Sequence, residues 1–145
     1  MGHRLPDTVH GLLALSAAGI ANFAIYLLTA LVLTALYLAI FVRVTPYNEI
    51  QLIRAGNAAA ATSLSGALLG FAIPLATAII ESVSFLDMLL WGVIALLVQL
   101  LVFAAACRVM PRLTQDIPQG STAEGILLAS LHVAVGLLNA ACMTY

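Results

Sequence analysis

Four long apolar runs, separated by short polar stretches, decide most of what this 145-residue chain can become. A helix needs about 20 apolar residues to cross a bilayer, because the hydrocarbon core is roughly 30 Å thick and each residue rises about 1.5 Å. The first run lies within Leu12 to Val42, the second extends from about Ala58 to Ile80, the third from about Phe85 to Cys107, and the fourth from about Thr122 to Met143. The rest of the chain cannot cover these runs with polar surface. Hydrophobic residues make up 63% of it and charged residues 8%, against roughly 45–50% and about 25% in soluble domains. The sequence therefore predicts an all-α integral membrane protein, a four-helix bundle with lipid as its outer solvent.

The first run is longer than one crossing requires. Either it forms one long tilted helix, or the part before about Gly19 and Asn22 lies in the interface. Arg4 ahead of an apolar run beginning at Gly11 imitates a signal peptide. A signal core, however, is about 7–15 residues long, and this run continues to Val42, so no cleavage is expected. The expected division is a tail or interfacial segment over 1–18, a first transmembrane hairpin over 19–80 and a second over 81–145.

Helix punctuation marks the joints. Gly56 stops one segment and Asn57 caps the next, Ser84 stands three residues before Asp87, and Ser121 stands three before Glu124. The last pair predicts a capping box in which Ser121 accepts from the Glu124 N–H. Orientation follows from arginine. Arg43 and Arg54 flank the loop after the first span, Arg108 and Arg112 the loop after the third, while the loop after the second holds the acids Glu81 and Asp87. Short arginine-rich loops stay in the cytoplasm, so both termini are expected on the outer, periplasmic side. Arg4 argues weakly the other way, and His3 and His10 add little. Cys107 then falls at the cytoplasmic end of the third span and Cys142 at the outer end of the fourth, too far apart to pair.

The chain also repeats itself. Arg43-Val44-Thr45-Pro46 recurs as Arg108-Val109-Met110-Pro111, and Gly56-Asn57 recurs as Gly120-Ser121, at offsets of 65 and 64 residues. Each copy is a hairpin of two spans, so both copies enter the membrane the same way round. The prediction is two tandem hairpins in a parallel repeat, related by an axis along the membrane normal. In each copy the proline ends a helix, and the arginine before it complements the helix dipole and reaches headgroups.

Several landmarks, taken in order, resemble a known family. They are Thr45-Pro46-Tyr47-Asn48-Glu49-Ile50-Gln51-Leu52-Ile53, Ser65-Gly66-Ala67-Leu68-Leu69-Gly70 with Ile73-Pro74-Leu75, Trp91-Gly92 with Gln99-Leu100-Leu101-Val102-Phe103, and Asn139-Ala140-Ala141-Cys142-Met143-Thr144. The chain resembles the bacterial inner-membrane proteins of domain-of-unknown-function family 350 from about Tyr37 onward. That resemblance implies a multi-pass protein of paired hairpins and hints at a partner role linked to envelope stress. It supplies no activity and no catalytic residue.

Few residues offer chemistry. His132 lies near the middle of the fourth span, where an ionisable group is costly and marks a candidate site. A hydrogen bond to a neighbouring helix is the plainer reading. Gln99, near the middle of the third span, aligns with Thr34 of the first, which suggests interhelical bonds about the repeat axis or a polar lining. Gly66 and Gly70 form a G-x-x-x-G that lets helices approach closely. Pro74 should free a carbonyl near Gly70 and bend its helix. Glu81 and Asp87 would make an acidic mouth in a cation pathway, though solvated loop charges are the plainer reading. Asn139 is polar enough to bond across helices.

Ligand sets for a metal are missing, and so are H-E-x-x-H, C-x-x-C, G-x-S-x-G and a phosphate loop. The absence of lysine excludes Schiff-base chemistry, and a net charge of −1 gives no reason to expect nucleic acid. The reading is therefore a non-enzymatic scaffold or partner subunit without cofactor, surrounded by lipid and forming a homo-oligomer or binding a membrane partner. The alternative is an oligomeric channel or transporter for a small ion or proton.

Overall fold

A computed structural model describes residues 5–144. Arg4 and His3, which bear on orientation, lie outside the described residues, as does the side chain of His10. The helices are α1 (Leu5–Val44), α2 (Glu49–Arg54), α3 (Ala58–Glu81), α4 (Phe85–Val109), α5 (Leu113–Asp116) and α6 (Thr122–Met143). Among the described residues all regular structure is helical. Four helices, within Gly11–Val44, Ala58–Glu81, Phe85–Val109 and Thr122–Met143, are long and apolar enough to cross a bilayer. Helix α1 runs unbroken through Gly19 and Asn22.

The chain divides into two units, Met1–Val32 and Leu33–Tyr145. The described side chains of the first are mostly exposed and apolar, as in Leu12, Leu13, Leu15, Ile20 and Phe23. The second holds the core. Tyr37, Phe41, Phe71, Met88, Leu113, Ile117 and Leu128 are fully buried there, while Leu69, Ile80, Leu86, Leu101 and Leu138 face outward. An apolar exterior of this kind requires lipid.

Contacts fix the helix directions within this second unit. A Cβ added at Gly125 would meet Ala59, one at Gly66 would meet Ala129, and one at Gly136 would meet Gly70. Positions therefore advance together, so α3 and α6 are parallel. Gly92 packs near Leu33, and Phe41 packs on Phe103, which makes α1 and α4 parallel as well. Leu75 sits beside Gly92 and Gly70 beside Gln99, so α3 and α4 are antiparallel. Both arginine-bearing connectors consequently lie at one end of the bundle.

The two connectors close alike. Gly56 and Gly120 take φ of 85° and 88°, a left-handed conformation that glycine adopts without a Cβ penalty. The Gly56 N–H bonds Ile53 O and the Asn57 N–H bonds Leu52 O; the Gly120 N–H bonds Ile117 O and the Ser121 N–H bonds Asp116 O. The caps that follow differ. Asn57 accepts from the Ala60 N–H at 2.9 Å, and its Nδ2 donates to Ile117 O and Pro118 O at 3.0 and 3.1 Å, tying the connectors together. Ser121 departs from the expected box. Its side chain caps no backbone N–H, and its hydroxyl instead donates to the Glu124 carboxylate. Ser84 does accept from the Asp87 N–H, at 3.2 Å.

Candidate functional site

The middle of the bundle is organised by a missing donor. Pro74 has no N–H, so the Gly70 carbonyl one turn earlier loses its helical partner. Helix α3 nevertheless continues from Ala58 to Glu81. Gln99 Nε2, on α4, donates to Gly70 O at 2.8 Å and to His132 O, on α6, at 3.2 Å. Both amide protons of Gln99 are thereby committed to carbonyls, which settles the orientation of the amide. Its Oε1 faces His132 Nδ1 at 2.6 Å. An amide oxygen only accepts, so Nδ1 carries the proton, and in a neutral ring Nε2 is then the acceptor. His132 Nε2 is buried without a hydrogen-bond partner. The ring packs edge-on to Phe41, with centroids 5.5 Å apart.

Glycine makes this arrangement possible. An added Cβ would come within 3.0 Å of Ala129 at Gly66, of His132 O and Gln99 Oε1 at Gly70, of Ala59 at Gly125 and of Gly70 O at Gly136. The α3–α6 seam is therefore backbone against backbone. Gly66 and Gly70 of the G-x-x-x-G serve contact within the chain. Outside the seam lies an open groove of about 510 Å³, lined by Thr62, Ser65, Leu69, Ala129, Ser130 and Val133 among others.

A second polar cluster lies at the connector end. Glu49 opens α2 behind its cap Asn48, whose side chain accepts from the Gln51 N–H at 3.0 Å. Its carboxylate is fully buried (0% exposed), and neither oxygen has a hydrogen-bond partner. Tyr37 and Tyr47 lie within its electrostatic reach. Both phenol oxygens and the Oγ of Ser63 are likewise buried without a well-formed hydrogen bond, and Ser63 stands beside the Tyr47 phenol. Burial pushes the Glu49 carboxyl up to about 7, opposed by the nearby Thr45 hydroxyl. Burial and then the Glu49 charge push the Tyr47 phenol above its ordinary range. Glu49 is missed by motif reading, yet the repeat carries a signal. The 64-residue offset that aligns Gly56 with Gly120 aligns Glu49 with Leu113, which is itself 1% exposed.

The remaining candidates are placed as follows. Thr34 is half-buried on α1, and the amide protons of Gln99 go to α3 and α6. Arg43, Arg54, Arg108 and Arg112 are exposed at the connector end. Glu81 is exposed at the opposite end, while Asp87 is occupied there in accepting from the Val83 N–H at 3.1 Å. Asn139 is half-buried, with Nδ2 unpartnered. Both cysteines are free thiols. Among the described residues no cluster of three or more His, Cys, Asp or Glu could hold a metal ion.

Four apolar helices with an apolar exterior and a buried polar centre define a multi-pass membrane protein. The chain belongs to the family described as Domain of Unknown Function (DUF350), whose model matches residues 14–143. It is 43% identical over 123 residues to the UPF0719 inner membrane protein YjfL of Escherichia coli (strain K12), covering 85% of this chain and 93% of that protein. The same figures hold for the protein of that name in Escherichia coli O157:H7. No solved structure matches the chain.

Proposed function

We propose that this protein is a non-enzymatic helical component of the bacterial inner membrane, acting as an oligomeric scaffold or partner subunit. The carrying observation is how the buried polar groups at mid-depth are used. Gln99 ties α3, α4 and α6 together, and the α3–α6 seam brings backbone against backbone. Helix contact thus fills the middle of the α3–α4–α6 packing. Function then falls to outward faces. The groove beside the seam is lined by small and hydroxyl-bearing residues such as Ser65, Ala129 and Ser130, the kind of surface against which another helix packs closely in lipid.

In this reading the chain consists of two tandem hairpins in a parallel repeat. The matched glycine closures of the two connectors and the parallel α3–α6 and α1–α4 pairs support it. The connector end, with its four exposed arginines, faces the cytoplasm, and both termini are periplasmic. A channel or transporter would need a conduit formed between copies, because four helices pack around a filled core.

The test is cysteine crosslinking in native membranes. With Cys107 and Cys142 replaced by serine, Ser65→Cys and Ser130→Cys variants should crosslink to a second copy or to a partner. A chain that stays monomeric and uncrosslinked at both positions contradicts the proposal.

A further inference from the structure

We propose that Glu49, Tyr37, Tyr47 and Ser63 form an oxygen-only binding site for a small monovalent cation at the connector end of the bundle. Buried polar groups ordinarily find hydrogen-bond partners, and each exception calls for an explanation. Here five such atoms gather at the connector end: both Glu49 oxygens, the Tyr37 and Tyr47 phenol oxygens and Ser63 Oγ are buried without a well-formed hydrogen bond, the Glu49 charge acts on both phenols, and Ser63 stands beside Tyr47. They come from α1, the α1–α2 link, α2 and α3, so a single ligand would bridge the whole first half of the bundle.

The chemistry of the donors selects the ligand. Carboxylate and hydroxyl oxygens are hard ligands suited to hard cations, while the thiols and imidazoles preferred by zinc or copper take no part. Charge selects further. The cluster holds one carboxylate. The arginines on the same hairpin, Arg43 and Arg54, are exposed and turned to solvent. Other titratable groups facing the cluster are the two tyrosines and, through Tyr47, the Cys107 thiol of α4. One positive charge therefore neutralises the site, whereas a divalent ion would leave a buried excess charge, which is costly. Thr45 Oγ1, which donates to Phe41 O and Val42 O at 3.1 Å, stands within reach of the carboxyl as a further oxygen.

Cation and proton compete for one carboxylate. Burial holds the Glu49 carboxyl at about 7, so the cation should bind well above neutral pH and lose affinity about tenfold for each pH unit below it. The site is independent of whether the protein acts as a scaffold.

The experiment is a titration of purified protein in nanodiscs with NaCl at pH 8, choline chloride holding ionic strength constant. Tyrosine ultraviolet difference absorption and thermal midpoint are read together. The expected result is a saturable tyrosine signal and a matching rise in midpoint, both weakened at pH 6. They should vanish in Glu49→Gln and be diminished in Tyr47→Phe and Ser63→Ala, which preserve the fold more gently. The proposal is overturned by a wild type that does not respond to NaCl at pH 8. A response that persists undiminished in all three variants overturns it too, as does a response to calcium or magnesium alone.

Discussion

Replacing Gln99 by leucine should expose the debt left by Pro74. The substitution keeps the size of the side chain but removes both amide protons and the oxygen facing His132. Gly70 O is then left without a donor, because residue 74 has no N–H, and the His132 Nδ1 proton loses its acceptor. His132 O retains its own helix. Interhelical side-chain bonds in membranes contribute about 0.6 kcal/mol on average and up to about 1.7, and an orphaned buried group costs about 1–3 kcal/mol. A loss of roughly 2 kcal/mol follows. The structure also predicts a coupling. Pro74→Ala supplies the missing N–H to Gly70 O, so Gln99→Leu should cost about 1 kcal/mol less in that background. Reversible unfolding in mixed dodecyl sulfate micelles, followed by Trp91 fluorescence and far-ultraviolet circular dichroism, gives all four corners of the cycle. Equal costs in both backgrounds, within about 0.3 kcal/mol, would refute the link between Pro74 and Gln99.

Gly136→Ala should lose about 2–3 kcal/mol, an overpacking cost that cannot be relieved because the obstructing atom is the Gly70 backbone; the same unfolding assay reads it. Stability without added sodium should fall as pH rises from about 4.5 to about 7, because the folded-state carboxyl of Glu49 is raised above its unfolded value. Below both values no penalty exists, between them only the unfolded chain ionises, and above the folded value the penalty is complete. Its size is about 3 kcal/mol, and Glu49→Gln should flatten the profile. In intact cells with a permeable outer membrane, an impermeant maleimide should label the exposed Cys142 thiol and leave Cys107 unlabelled until the inner membrane is opened.

The long apolar helices are legible in the sequence because lipid demands a run of apolar residues, and Gly56, Gly120 and Ser84 mark the joints. The short helices α2 and α5 are not, since Glu49–Arg54 and Leu113–Asp116 are too brief to show a helical period. Pro74 announces that a carbonyl near Gly70 is freed. Nothing along the chain says that Gln99 fills the vacancy, because that pairing depends on how α4 crosses α3. The offset that pairs Gln99 with Thr34 does not foretell its partners, for the two amide protons go to the carbonyls of Gly70 and His132. Ser121 looks like an ordinary cap, but its hydroxyl is turned to the Glu124 carboxylate and accepts from no backbone N–H. Glu49 sits in a polar connector, where a carboxylate ordinarily meets water. Its burial becomes visible only beside its counterpart Leu113.

The central claim is that one chain is sealed at its centre and works through its outer faces. Flux of sodium, potassium and protons into proteoliposomes, comparing the wild type with His132→Ala and with protein-free vesicles, tests it most directly. The account predicts that all three preparations leak alike while both proteins remain folded. Wild-type flux above the protein-free level that falls in His132→Ala would contradict it and make His132 part of a path.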